Sequence, residues 1–402
     1  MLHKKESTLD PSNYRPISLL NQFGKIFESL IADIIRFWAE DNDKIDIIQA
    51  GFRKKRSTND QLYTLSQYCY EGFNRGKQTD TIFTDFEKAY DKVWHKGLLY
   101  KLKALRMPDE DLFMIKSFLE DRKCFIQNGK EKSEKFTPEN GVPQGSCLSP
   151  LLFILFVVDI PTHEKVKQSK FADDLALMAQ ISKGKRRRNI NPANKDLQTL
   201  LNNINKWCLK WRMKINIKKT ILLSITKGIP IDTTYTIDNQ PISRNIEAKF
   251  LGITLDSKLN LNSHISKKIG QAHSKLEYLI KMNNLNFSMR AKRKAYIQLI
   301  RPILEYGSAI LCTLTKANES KLEIFQNKCL RLITNSARYT NIKTLQDESN
   351  IKTITTRIKD LAKVWFTQAK ANPKNSVSHI REVFFNGFDT ISTPHVVISN
   401  HT

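Results

Sequence analysis

Three aspartates stand where an acid is costly to place. Asp85 closes the apolar-flanked run Thr81-Ile82-Phe83-Thr84, and Asp173-Asp174 lie between Phe171-Ala172 and Leu175-Ala176-Leu177. A carboxylate among apolar neighbours destabilises a fold unless something cationic satisfies it. The bland alternative is an aspartate facing solvent at a strand end or hairpin turn, and an adjacent pair inside an apolar hairpin weakens it. If the two segments are neighbouring strands, Asp85 and Asp173 share one site. Magnesium is a hard cation that prefers carboxylate oxygen and commonly takes only one or two protein carboxylates plus phosphates. Two such ions about 3.5–4 Å apart activate a hydroxyl and stabilise the leaving oxygen of an in-line displacement. Nucleotidyl transfer and nucleic-acid cleavage both use that chemistry, so the carboxylates alone leave the two open.

The elements that must position these residues follow from periodicity. Apolar residues recur at three- and four-residue intervals over residues 14–40, which predicts a helix. Helices are also expected over 59–75, 98–120 and 151–159, the last just after Pro150. Residues 81–85 read as a strand and 171–178 as a hairpin with two aspartates at its tip. Strands are expected at 123–128 and 135–138 about the Asn128-Gly129 turn, at 213–217 by alternation, and at 250–255. Leu197, Leu200, Leu201, Ile204, Trp207, Cys208 and Trp211 form an amphipathic helix. From about 262 to 370 the pattern is almost wholly helical, so the expected class is α+β, a mixed body carrying a helical appendage. The last thirty or so residues, rich in Asn, Ser and Thr, read as a loose tail.

Composition narrows the partners. The chain has 402 residues, with 65 Lys and Arg against 40 Asp and Glu, a formal net charge of +25. Such an excess attracts a polyanion, either nucleic acid or an anionic membrane surface. The six cysteines are scattered, with no Cys-x-x-Cys pair, which fits buried thiols in a reducing compartment rather than a zinc site. No secretory signal is visible, and the longest apolar run, residues 151–158, falls far short of the roughly 20 residues a membrane span needs. The expectation is a soluble protein with no membrane partner.

Seven motifs then stand in one order. They are Tyr14-Arg15-Pro16-Ile17-Ser18-Leu19-Leu20, Gln49-Ala50-Gly51-Phe52-Arg53, Asp85-Phe86-Glu87-Lys88-Ala89-Tyr90-Asp91, Gly141-Val142-Pro143-Gln144-Gly145-Ser146, Phe171-Ala172-Asp173-Asp174, the Lys-Lys-Thr at 218–220, and Phe250-Leu251-Gly252. Any one of them is a weak signal; all seven in sequence order are specific. Over roughly residues 9–310 the chain resembles the reverse transcriptases of non-LTR retrotransposons, particularly the jockey type of arthropods.

The resemblance implies a right-hand polymerase: fingers over 1–80, a palm with an antiparallel sheet over 81–254 with a finger insertion around 105–135, a helical thumb over 255–315, and a C-terminal helical region over 316–372 before the tail at 373–402. It implies that Asp85, Asp173 and Asp174 hold two Mg²⁺, with Mn²⁺ as a substitute, and that the Phe86 carbonyl completes one shell. Tyr90 is implied under the incoming sugar, where its ring excludes a 2′-hydroxyl; a core tyrosine is the usual alternative. Gln144 and Gly145 are implied beside the nucleotide, Arg15 and Arg53 on its triphosphate, and Lys219 as proton donor to pyrophosphate. Phe250, Leu251 and Gly252 are implied as the primer grip. Lys267, Lys268, Arg290, Lys292, Arg293 and Lys294 would suit backbone contacts to a template–primer duplex, and Lys185-Arg186-Arg187-Arg188 is a basic loop that fits nucleic acid, nuclear import or plain solvation.

The implied partners are an RNA template, a DNA primer and deoxynucleoside triphosphates. Neither an endonuclease region ahead of the first motif nor an RNase H-like set of carboxylates after residue 310 is recognised. The implied location is intracellular, and nuclear during action. The competing expectations are a truncated, non-catalytic nucleic-acid-binding remnant and a two-metal nuclease.

Overall fold

The computed structural model describes residues 13–120, 122–182 and 192–378, together with residues 2, 3, 7, 9 and 10. The basic run 185–188 and most of the expected tail lie outside the described residues.

A five-stranded sheet organises the chain. Its central strand, Gln78–Thr84, pairs antiparallel with Asp174–Ile181 on one side and Ile221–Ile225 on the other. Lys167–Phe171 continues the sheet antiparallel beyond Asp174–Ile181, and Ser243–Arg244 adds a short parallel edge beside Ile221–Ile225. Every residue of the central strand is buried. Side chains alternate across a pleated strand, and here both faces meet protein. Ile82, Leu177 and Leu222 point into a core with α1 (Gln22–Asp41), α3 (His95–Ala104), α4 (Asp109–Leu119), α5 (Ser149–Phe156) and α6 (Pro192–Lys210). Phe83, Ala176, Met178 and Leu223 point the other way, onto α2 (Thr58–Asn74) and the helices beyond α7 (Asn262–Asn284). The architecture is α+β, with the antiparallel sheet in the middle.

Several elements differ from the sequence reading, each for a local reason. Residues 14–21 are not helical: Tyr14–Arg15 is a short strand, and the Ser18 amide donates to the Gln144 carbonyl instead of to a helix turn. Helix α1 starts after Asn21, whose side chain accepts from the Gly24 amide at 2.6 Å. The expected helix over 98–120 is two, broken where Arg106 turns left-handed (φ 62°) and Pro108 stands at the N-terminus of α4. The strand expected at 213–217 is a single bridge, Phe86 to Ile215; the sheet strand is Ile221–Ile225. The strand expected at 250–255 folds back on itself, because Leu251 and Gly252 take positive φ and divide it into the hairpin Glu247–Phe250 and Ile253–Asp256. The strands expected at 123–128 and 135–138 contract to Gln127–Asn128 and Glu131–Lys132 with a bridge between Cys124 and Phe136.

The helical C-terminal part is not an appendage. Tyr296, Leu322, Ile354 and Ile358 share one core with Phe83 and Met178 of the sheet. A second tie is polar. The Asp60 carboxylate, in the first turn of α2 and 1% exposed, accepts from the Ser57 amide (3.1 Å), the Trp365 indole (2.7 Å) and the Asn375 amide (3.2 Å). Removing that acceptor strands buried donors from both ends of the chain. Among the described residues no helix is long and apolar enough to cross a membrane. Asp60→Ala is expected to cost about 3 kcal/mol, read as a lowered thermal midpoint, with the segment around Trp365 becoming protease-sensitive first; an unchanged midpoint refutes the tie.

Candidate active site

Strand register brings the three aspartates together. Thr84 pairs with Leu175, and Phe171 pairs with Asp174 across the neighbouring turn. Asp85, one residue past Thr84, therefore meets the turn that carries Asp173 and Asp174. The electrostatics record the encounter. Asp174 is pushed up to about 6, first by withdrawal from water and then by the charges of Asp173 and Asp85. Asp173 is raised by the same withdrawal and by Asp85, with the Arg15 charge working against the rise. Lys219 lies 3.7 Å from an Asp85 oxygen on an exposed side chain.

The backbone around these acids is pinned. The Asn216 amide donates to the Asp85 carbonyl (2.7 Å) and the Glu87 amide to the Lys214 carbonyl (2.9 Å). Phe86 and Ile215 thus form a non-hydrogen-bonded antiparallel pair, which leaves the Phe86 carbonyl out of the ladder. Hard oxygen donors with an excess of negative charge suit magnesium. Among the described residues no group of three or more acidic, histidine or cysteine side chains is gathered closely enough to hold a metal ion alone; magnesium commonly takes one or two protein carboxylates and fills its shell with water and phosphate.

The turn itself is held by a residue the sequence reading quoted but gave no role. Ala172 is left-handed at φ 55°, a conformation that costs a residue with a Cβ. The Gln49 side-chain oxygen accepts from the Ala172 amide at 2.8 Å and from the Gly51 amide at 2.9 Å. A Cβ on Gly51 would collide with the Ala172 backbone, so only glycine permits this approach. Gln61 braces the strand before the turn, accepting from Ser169 Oγ (2.7 Å) and the Lys170 amide (3.0 Å). The signal was present as the Gln-x-Gly spacing; its meaning needed the partner 123 residues away.

Tyr90 stacks on Phe153 at 4.8 Å with rings 12° apart, and its phenol is pushed upward by burial and the Asp173 charge. It sits beside the acids, partly exposed. The Gln144 amide donates to Asp91 at 2.9 Å. Gly145 (φ 116°) passes so close to Ser18 that a Cβ would lie 3.0 Å from its carbonyl oxygen. The two loops that carry Arg15 and Gln144 are therefore one assembly. Behind it, buried Glu28 of α1 accepts from Ser146 Oγ (2.6 Å) and the Cys147 amide (3.2 Å), a pairing with no sequence signal. In the hairpin, buried Phe250 packs on Phe83, while Tyr306 donates to the Leu251 carbonyl (2.8 Å) and lies where a Gly252 Cβ would be (2.9 Å).

Arg53 is a correction. Its guanidinium is buried, with Nε and Nη2 donating to the two Glu40 oxygens (2.8 and 2.6 Å) and Nη1 to the Asp46 and Gln49 carbonyls. All three nitrogens serve the frame, and the side chain is buried with a single Nη2 hydrogen unassigned, which turns the fork away from a triphosphate. Of the expected duplex-binding residues, Lys292 is buried against Asn283, Arg293 caps the carbonyls of Ser349 and Asn350, and Lys267 pairs with Glu247. Arg290 and Lys294 remain exposed.

Acids at the tip of an antiparallel sheet, between a fingers assembly and a helical region, define a polymerase of the right-hand type. The chain belongs to the reverse transcriptase (RNA-dependent DNA polymerase) family, whose profile matches residues 2–255. It is 31% identical over 371 residues to the probable RNA-directed DNA polymerase from transposon BS of Drosophila melanogaster, covering 89% of this chain and 40% of that protein. It is also 31% identical to the RNA-directed DNA polymerase from mobile element jockey of Drosophila funebris, over 93% of this chain and 41% of that one. The chain thus spans about two fifths of the length of the curated relatives it matches. A telomerase from Candida tropicalis, solved with a telomeric RNA fragment, overlaps 92% of this chain and 57% of its own at 14% identity and a TM-score of 0.45.

Two outcomes follow from this geometry. Gln49→Met keeps the size of the side chain but loses the acceptor. It is expected to lower kcat for nucleotide addition by about 100-fold, the order a displaced reacting group costs, with KM for nucleotide little changed, whereas Gln49→Glu retains the acceptor and much of the rate. Metal-free protein tests the acids. The folded value of Asp174 lies above its unfolded one, so the charged carboxyl opposes folding above pH 6, and that penalty fades as the folded state takes up its proton below 6. Asp174→Asn is therefore expected to raise the thermal midpoint at pH 8 and to have no effect near pH 4; a gain independent of pH refutes the charge argument.

Proposed function

We propose that this chain is the polymerase unit of a non-LTR retrotransposon, copying RNA into DNA by extending a primer 3′-hydroxyl with deoxynucleoside triphosphates. The observation that carries the reading is the strand register that sets Asp85 beside the Asp173–Asp174 turn. Family membership and the named activity of the jockey-type relatives support it. The proposed partners are an RNA template and a DNA primer, for which the +25 net charge is suited, and the proposed site of action is the nucleus.

In this mechanism the primer 3′-oxygen attacks the α-phosphorus, the bond to the β-phosphate oxygen breaks in line, and pyrophosphate leaves. Asp85, Asp173, Asp174 and the Phe86 carbonyl are the proposed Mg²⁺ ligands. When bound, the metal supplies charge neutralisation at the phosphates and activation of the attacking oxygen. Arg15, the positive group that faces Asp173, offers a planar fork of donors for the triphosphate. Lys219 stands at Asp85 and offers its proton to the departing pyrophosphate. Tyr90, fixed by its stack on Phe153, is the proposed wall against a 2′-hydroxyl. Gln144 and Gly145, tied to Asp91 and Ser18, form the floor for the nucleotide. The Phe250-Leu251-Gly252 turn, buttressed by Tyr306, is the proposed grip on the primer end.

Primer extension on an RNA template tests the reading. Wild type with Mg²⁺ is expected to extend the primer, and Asp173→Ala to lose at least about 1,000-fold of that activity, the scale of an electrostatic catalytic group. Folded wild type that binds template–primer without extending it would establish the non-catalytic alternative. Degradation of labelled duplex without nucleotides would establish the nuclease.

A further inference from the structure

The Glu28 side chain reaches from α1 into the loop that precedes α5. It is 8% exposed, and one of its oxygens, Oε2, accepts from both Ser146 Oγ (2.6 Å) and the Cys147 amide (3.2 Å). A serine hydroxyl has one proton and two lone pairs, whereas an ionised carboxylate only accepts. Ser146 therefore gives its proton to Glu28 and keeps both lone pairs for the Leu148 (3.1 Å) and Ser149 (3.3 Å) amides, where α5 begins. Leu148, at the cap position of that helix, has no polar side chain of its own. Ser146 takes over the capping of the free amides, and Glu28 fixes which way its hydroxyl points.

Both ends of this loop lead to Tyr90. Phe153, four residues into α5, carries the Tyr90 ring in the near-parallel stack. Upstream, Gln144 donates to Asp91, the residue after Tyr90, and its carbonyl accepts from the Ser18 amide (2.7 Å). The N-terminal segment thus holds the loop at two points, Ser18 and Glu28. Helix α5 is apolar and buried from Leu151 to Phe156, and apolar packing is non-directional. The polar cap supplies the directional tie that sets where the helix starts, and with it where Phe153 meets Tyr90.

We propose that Glu28 is a positioning residue for sugar selection: through Ser146 it sets the start of α5, and so the Phe153 support on which Tyr90 rests against the nucleotide sugar. This rests on the reading of Tyr90 as the wall against a 2′-hydroxyl. Glu28 acts at a distance, through a hydroxyl, a helix start and a ring stack, and touches no substrate itself.

Single-nucleotide extension of a template–primer reads the assignment as a ratio, kcat/KM for a deoxynucleotide over that for the matching ribonucleotide. A wall that only excludes a hydroxyl discriminates by about a hundredfold, and Glu28→Leu is expected to forfeit about tenfold of it. Glu28→Gln, which keeps an accepting oxygen but not the charge, is expected to hold most of the ratio. Loss of folded enzyme lowers both rates together and cannot move the ratio, so a merely structural role gives no change. Ser146→Ala breaks the same link from the other side and is expected to match Glu28→Leu, which keeps the test decisive should either variant fold poorly. Tyr90→Ala sets the lower limit. If it loses discrimination while Glu28→Leu and Ser146→Ala keep the wild-type ratio, the proposal is overturned and the role of Tyr90 stands. If all three keep it, Tyr90 is not the wall, and the proposal goes with that reading. Hydrogen exchange decides the first link without turnover. The Leu148 and Ser149 amides are expected to exchange at least about tenfold faster in Glu28→Leu; unchanged exchange refutes the coupling even in a protein that does not polymerise.

Discussion

Carboxylates gathered at one end of a sheet repel one another, and the rest of this molecule is arranged to hold them there regardless. The rise of Asp174 to about 6 records withdrawal from water first and the repulsion of Asp173 and Asp85 second. A flexible hairpin would relieve the repulsion by splaying. Here the central strand is buried along its whole length between two cores, and neither neighbour can tilt without opening a void. The one weak place is the turn, where Ala172 is forced left-handed. Gln49 accepts from its amide, and Gly51, bare of a Cβ, lets the two segments approach. The segment around Gln49 therefore stabilises the position of the acids.

Much of this was legible in the sequence, and the division is instructive. Asp85 and the Asp173–Asp174 pair announced themselves because acids among apolar residues are anomalous. The sheet strand that carries Asp85 and the acidic hairpin could be read because their apolar content differs from the flanking turns. Leu251 and Gly252 were read within a strand because alternation alone does not report a left-handed residue; only the close approach of Tyr306 explains why the chain turns there. Residues 213–217 alternate as a strand does, yet Ile215 meets Phe86 in one bridge, and its neighbours serve to pin the Asp85 backbone.

Arginine shows the limit most plainly. Arg15 and Arg53 each present a fork of donors in an N-terminal motif, with Lys54, Lys55 and Arg56 beside the second as alternatives to it. The structure gives one a carboxylate of its own frame and leaves the other facing the acids. Glu40, the deciding partner, lies thirteen residues from Arg53 on a helix whose apolar pattern says nothing about it. The same holds for Lys292 and Arg293, whose sequence context suits duplex contacts but which turn inward to Asn283 and to the Ser349 and Asn350 carbonyls. A surplus of positive charge identifies the class of partner, but not which side chains reach it.

The core shared by Phe83, Met178, Tyr296 and Ile358 bears on how the chain matures. Helix α2 already lies on the rear face of the strands that end at Ile225, but the core on that side is complete only when residues near 360 join it. At ribosomal speeds of about 5–20 residues per second, that interval is on the order of ten seconds. During it Phe83 and Met178 have only α2 and the 247–256 hairpin to pack on, and the sheet's second core is held by part of its final contacts.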